Sequence, residues 1–489
     1  MMEKFLALGV VALLVTASAT AAPAYHPPGT NLVYGDVTSA SHVLPTSENP
    51  AAPAARKRAA GDDKPVRGTA PSAGAGLEYG NIEELFDFYD RVSQAYAPSD
   101  PGTGGGPGQD PGDKPDGGIN IGDVLDTLDP EFREMLDALA QEVATQAALL
   151  AVIATEGYGK AWLAGDIPLA LGNDFLGGTL TLGLSWSGGS KAFGIAAPID
   201  FDRQAAFEAI QNWVNTPVPA RQPQIAISDD ITLTPDLVNE AVLFALNNDS
   251  SLVSKSTRST ELKFGYSREA WSGDTGQLFL GANARLLFMQ LSRLSVRFGD
   301  ITDSEELFDS IRNADFRTDN GISLDVGALW VGENYQLGLQ AININEPEFI
   351  FPDVNLEPYR DDGVIGFLLA DKKYTMDRQV KLEGSIFTPN RRWAAHLGVD
   401  AMPATDPLGD DFQWLSVSAG LTMDNWWLPG VRAGYRRNLA GTELDYVGIG
   451  ITAFKYVNID VASALDSVKI NGRNLPQGLM ASIGFQIAW

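Results

Sequence analysis

Residues 179–187 read TLTLGLSWS. Leu180, Leu182, Leu184 and Trp186 alternate there with Thr179, Thr181, Gly183 and Ser185. Successive side chains of a β-strand point to opposite faces, so the stretch has one apolar and one polar face. Residues 455–466 repeat the texture, with Val457, Ile459, Val461 and Leu465 against Asn458, Asp460, Ala462 and Asp466. Residues 392–401 set Trp393, Ala395, Leu397 and Val399 against Arg392, His396 and Asp400. Residues 377–386 set Val380, Leu382 and Ile386 against Gln379, Lys381 and Glu383.

Outward from these, thirteen segments alternate: 179–187, 190–199, 259–271, 276–299, 319–332, 334–344, 376–388, 392–402, 412–423, 429–438, 443–454, 455–466 and 477–489. Most approach the 9–11 residues that a tilted strand needs to cross a bilayer. A soluble sandwich or propeller also alternates, but three features favour a membrane barrel. The polar face carries charges of both signs while the apolar face is nearly free of them. Trp186, Trp271, Trp330, Trp393, Trp426 and Trp427 fall near strand ends, as an interfacial girdle requires, and Trp414 alone falls on the polar face. Connections alternate between short (near 188–189, 272–275, 333, 389–391, 424–428 and 454–455) and longer (near 200–258, 300–318, 345–375, 403–411, 439–442 and 467–476). The parity demands one further strand upstream, either 160–171 or 70–80, for an even total of about fourteen. The expected fold is all-β: a transmembrane antiparallel β-barrel spanning 159–489.

The remaining organisation is read from composition. Lys4, the apolar run Phe5 to Val15 and the small residues Ala17 to Ala22 form a secretory signal peptide over 1–22. Eleven apolar residues cannot cross about 30 Å of hydrocarbon at about 1.5 Å each. Residues 23–80 are rich in Ala, Pro, Gly and Ser and read as irregular chain. Residues 81–158 form a helical insertion. One helix has Ile82, Leu85, Phe86 and Tyr89 on a face, and another is capped by Asp129 and Pro130. A Pro/Gly linker over 98–118 separates them, and its Asp100, Asp110, Asp113 and Asp116 lack the spacing of a calcium loop.

Exclusions follow from the inventory. The 489 residues include no cysteine, which removes disulfides, thiol catalysis and cysteine-ligated metals. A net charge of −27 makes a nucleic-acid partner unfavourable. Only His26, His42 and His396 offer imidazole chemistry. His396 shares its face with Arg392, Asp400 and several serines (Ser385, Ser416, Ser418), but the arrangement reads as lumen lining rather than a catalytic triad. No cofactor or metal is expected. Lys381, Glu383, Arg392, His396, Arg432, Arg436 and Asp460 are expected to line the lumen.

The last residues, LMASIGFQIAW (479–489), place Ile483, Phe485, Ile487 and Trp489 on one apolar face. The ending resembles the signal that barrel-assembly machinery reads on its substrates. TNLVYGDVTSASHVLPTSENPAAPA (30–54), GAGLEYGNIEELFD (74–87), LGLQAININEPEF (337–349) and VRAGYRRN (431–438) resemble the TraF-like outer-membrane proteins of conjugal-transfer annotation, relatives of FadL-type hydrophobic-compound channels. That resemblance implies an outer-membrane location in lipid. It also implies a lumen plugged by an amino-terminal hatch (23–58) around Asn49, Pro50 and Ala51, and a hydrophobic small-molecule ligand. A rival reading is a non-transporting envelope barrel that binds a partner through its acidic loops and helical insertion.

Overall fold

The computed structural model describes residues 31–38, 49–55, 67–80, 157–199, 201–217, 223–236, 241–300, 309–311, 313–423, 425–470 and 473–488. The signal peptide, the two helices and linker of 81–156, and Trp489 lie outside the described residues.

Alternation becomes a closed ring. β1 (68–79, interrupted at Ala70 and Pro71), β2 (Tyr158–Phe175), β3 (Gly178–Ile195), β4 (Ser251–Gly273), β5 (Gly276–Arg297), β6 (Arg317–Val331) and β7 (Tyr335–Ile342) form half of it. β8 (Gln379–Phe387), β9 (Trp393–Asp400), β10 (Trp414–Leu421), β11 (Gly430–Asn438), β12 (Asp445–Ala453), β13 (Val457–Ala464) and β14 (478–488) form the rest. Neighbours in sequence pair antiparallel around the ring, and β1 closes it by pairing both β14 (Ser72↔Gly484) and β2 (Ser72↔Asp166). Closure satisfies every edge, which is the condition for crossing hydrocarbon with strands.

The fourteen strands are reached by a different count from the sequence reading. Segments 179–187 and 190–199 are one strand, β3, which runs through Gly188 and Gly189 without turning. The glycine pair looks like a turn, but Gly189 is small because Leu408 packs there, 3.1 Å from where a Cβ would stand. Both upstream candidates are strands rather than one of them. Residues 68–79, read within the irregular amino-terminal segment, are the first staves of the wall, so the barrel begins there and not at 159.

Which face meets lipid follows from side-chain type. On β6, Ile322, Leu324 and Val326 are exposed, while Ser323 and Asp325 are buried. On β5 and β4 the outward face changes character along its length. It is apolar at Leu286 and Leu262, then polar above, where the outward residues Ser190, Ser256 and Ser292 lie side by side on paired strands. Trp186 sits at this change of character, paired with Thr260. It therefore occupies an interface level although it is not near a strand end. The apolar band on β6 runs over residues 322–330, close to the 9–11 needed for one crossing. The lower border carries Trp271 stacked on Trp330 (5.3 Å) with exposed Trp393, Trp426 and Trp427 nearby in the same rim. This is a membrane-spanning barrel.

All the short turns gather at that aromatic rim. Leu176 and Gly177, both at positive φ (50° and 74°), make the two-residue turn that the twist of the flanking strands favours. The long connections, including 80–157, leave from the opposite rim. Helix Arg203–Asn215, capped by Asp202, and a three-stranded sheet (Ile225–Ala226, Ile231–Asp236, Ala241–Leu246) belong to one of them. Helix Asp362–Ala370 belongs to another.

Candidate functional site: the occupied lumen

Residues 31–38 and 49–55 lie inside the ring. Their first element is a helical turn, Asn31–Tyr34. Leu32 packs there with Trp162, Trp414, Tyr446, Ala462 and Met480 in one lumenal cluster. Trp414, the exception to the girdle pattern, is explained by this contact: it faces inward, edge-on to Tyr446 (6.1 Å), with the Arg436 guanidinium 4.2 Å over its ring.

Beyond the helical turn the chain is tied down by polar wall residues. Asp36 accepts from Lys381 Nζ (2.9 Å) and from Gln340 Nε2 (3.3 Å). Ser416 Oγ donates to the Gly35 carbonyl (3.3 Å) and Ser385 Oγ to that of Thr38 (3.3 Å). Gln336 Nε2 also donates to the Thr38 carbonyl. Irregular backbone at membrane depth requires such partners, because an unsatisfied amide there costs several kcal/mol.

Glu383 joins two separate parts of this segment. Its carboxylate accepts from Thr38 N, from Thr38 Oγ1 (3.0 Å) and from Asn49 Nδ2 (2.7 Å). Asn49 also closes its own turn: its Oδ1 accepts from Ala51 N (3.0 Å) and its carbonyl from Ala52 N (3.0 Å). Pro50 sets the φ of that turn, and Asn favours such side-chain-closed geometry. The wall has been hollowed to receive it. A Cβ on Gly281 would stand 2.1 Å from the Pro50 carbonyl oxygen, and one on Gly327 would stand 2.3 Å from Asn49 Oδ1. Ala51 and Ala54 then fill the lower lumen against Phe279, Leu329 and Val331.

The other residues expected to line the lumen behave in two ways. His396, Arg432, Arg436 and Asp460 are buried on the inner face. Arg432 directs both Nε and Nη2 at Asp460 Oδ1 (2.7 Å each) and also donates to Thr452 Oγ1 (2.7 Å). Arg392 departs from expectation. It is exposed in the turn before β9, where Thr388 and Asn390 end the alternation one residue before Trp393. Ile483, Phe485 and Ile487 face outward, 44%, 45% and 50% exposed.

His396 has a serine partner but no triad. Ser385 Oγ lies 2.8 Å from its Nδ1, and the Tyr34 ring covers it at 4.6 Å. Asp400 points elsewhere, accepting from Gln379 Nε2 (3.1 Å) and Trp414 N (2.9 Å). The imidazole is part of the seat for Tyr34.

Above the segment a cavity of about 150 Å³ remains, walled by Asp36, Glu261, Arg285, Asp377, Lys381 and Asp406 among others. Arg285 is itself satisfied by Glu261 (3.0 Å) and Asp325 (2.9 Å). Among the described residues no group of His, Cys, Asp or Glu is arranged to hold a metal ion. Periodicity does not single out Asp36 and Thr38 of the inner segment, or Gly281 and Gly327 of the wall, as contacts between the two. Glycines at lumen-facing positions of an otherwise polar register were the available signal.

Fold and lumen together define a membrane-spanning β-barrel whose interior holds residues 31–38 and 49–55 of its own chain. The chain belongs to the family described as "F plasmid transfer operon, TraF, protein", whose model matches residues 47–400. No curated protein sequence matches it. Among solved structures, the TodX deltaS2S3 mutant monoaromatic hydrocarbon channel is similar at 10% identity and TM-score 0.39, over 90% of this chain and 92% of that one. A Pseudomonas aeruginosa FadL homologue is similar at 13% identity and TM-score 0.31, over 96% and 99% of the two chains.

Proposed function

We propose that this protein is an outer-membrane channel held closed by an amino-terminal hatch. The short-turn rim faces the periplasm in this reading and the long connections face outward, as in other outer-membrane barrels. One observation carries the proposal: Glu383 binds Thr38 and Asn49 at once, inside the lumen. A single wall carboxylate thus latches two parts of a segment that has no strand of its own in the ring. A barrel this wide needs something beyond wall side chains to fill it, and side-chain latches can be released without unzipping a strand.

The permeant is argued from the cavity. Its charged residues share the wall with Trp186, Ile342, Tyr374, Met376, Phe412 and Trp414, and its volume of about 150 Å³ lies below the roughly 300–1,000 Å³ of pockets for drug-sized ligands. A mixed wall of that size suits a small, largely apolar compound, the class that the resemblance implies. Such a compound retained in protein purified from its native membrane would support this permeant, and a barrel that retains only hydrophilic solutes would overturn it. The test of the channel itself is deletion of residues 23–58, which should raise single-channel conductance in planar bilayers. A folded deletion barrel that stays closed would overturn the reading.

A second reading, contact with a partner during plasmid transfer, draws on the family description and on the size of connections 80–157 and 196–250 at one rim. It predicts partner capture that survives deletion of the hatch and is lost when those connections are shortened.

A further inference from the structure

Loop 401–413 joins β9 to β10, yet its tip reaches the far wall. Ala404–Thr405 pairs with Asp411–Phe412 as a short hairpin. At the tip, Asp406 Oδ1 accepts from Leu408 N (2.9 Å) and Asp410 N (2.9 Å), and Gly409 adopts φ +91°. This compact turn presents its carboxylates to β2 and β3. Lys160 Nζ on β2 binds Asp406 (2.5 Å) and Asp410 (2.8 Å), and Lys191 on β3 binds Asp410. Leu408, 3% exposed, packs over Gly189 of β3.

The ring order makes this contact non-local. β10 is six steps from β2 around the barrel, and β9 is six steps from β3, where a diameter of the fourteen-strand ring is seven. The loop therefore crosses the mouth instead of lying along its own side. It is also tied to the neighbouring connection by Thr405 N donating to Asp377 (2.9 Å). That connection is anchored to the wall by Lys255–Asp371 (2.5 Å) and by Arg293 donating to the Leu368 carbonyl (2.6 Å). The charged cavity lies below, bounded by Asp406 of the loop and Asp36 of the hatch.

We infer that loop 401–413 is a second, outer gate: a strap that closes the mouth and opens by releasing Asp406 and Asp410 from Lys160 and Lys191. The cavity is then a chamber between two gates. Its role in passage rests on the channel reading, whereas the strap's own opening does not.

The test exploits a chain without cysteine. In Leu408→Cys barrels, reaction with a membrane-impermeant maleimide should be slow, and adding Asp406→Asn and Asp410→Asn should speed it at least tenfold. In a background lacking residues 23–58, the same two substitutions should raise conductance further. Equal labelling rates in folded barrels would overturn the strap. So would unchanged conductance in a hatch-deleted barrel that conducts. If the hatch-deleted barrel does not conduct but labelling accelerates, the channel reading falls and the strap stands. Lys191→Gln, at the more exposed end of the network, serves by the same two readouts if the double aspartate variant does not fold.

Discussion

Glu383 concentrates the wall's hold on the inner segment in one residue. Three donors from two segments converge on its carboxyl group, and a hydrogen bond contributes about 0.5–1.5 kcal/mol net. Every 1.4 kcal/mol is a factor of about ten in an equilibrium. Glu383→Ala should therefore increase the frequency of open events at least about tenfold while the barrel still assembles. Single-channel recording beside a heat-modifiability gel checks both halves of this expectation. Glu383 was placed on the lumenal face by simple alternation with Leu382. That it would hold Asn49 was beyond any periodicity, because the two positions are 334 residues apart.

Among the elements, the strap carries the charge that pH can reach. Burial pushes the Asp410 carboxyl up, but Lys160 and Lys191 outweigh it and hold the group at about 2, against an ordinary value of 3.8. A depressed carboxylate stabilises the docked state above its free value, and that contribution is lost as pH falls through the docked value. The facing groups are Asp406 on the strap, Lys160 on β2, Lys191 on β3, Lys255 on β4 beside Gly409 and, close by, Glu78 on β1. Hatch-deleted barrels should thus keep a strap-limited conductance down to about pH 4 and gain conductance between about 4 and 2. Asp410→Asn should abolish that step. A step that persists in the variant would assign it to another group. The strap was read from sequence only as a longer connection near 403–411. Its aspartates became meaningful once β2 and β3 were brought opposite them.

For the molecule as a whole, orientation is the property that all the connections share. Glu357 is exposed on the 343–378 connection and Asn390 is exposed in the 388–392 turn, at opposite rims. Cysteine at 357 should react with an impermeant reagent on intact cells, and cysteine at 390 should react only after the outer membrane is opened. The reverse pattern would invert the barrel. Tyr79 and Tyr158 both end at the long-connection rim, so the insertion between them starts and finishes on the side of residue 357.

Alternation by itself determined strands β4 to β14, their inward and outward faces and the split between the short and long connections that join them. The reason is that a two-residue period and a lipid-facing surface leave a local mark at every position. Even the upstream strands were visible as candidates, and GAGLEYG did become wall. What only the tertiary structure decided are the contacts across the lumen. These are the seat of Asn49 against Gly327, Trp414 turned inward beneath Leu32, and the strap's aspartates on Lys160 and Lys191. The glycines at 188 and 189 show the difference most clearly. Locally they read as a turn, whereas the closed ring uses Gly189 as space for Leu408 from the opposite wall. Such pairings depend on ring closure, which brings distant strands face to face and leaves no periodic trace in the chain.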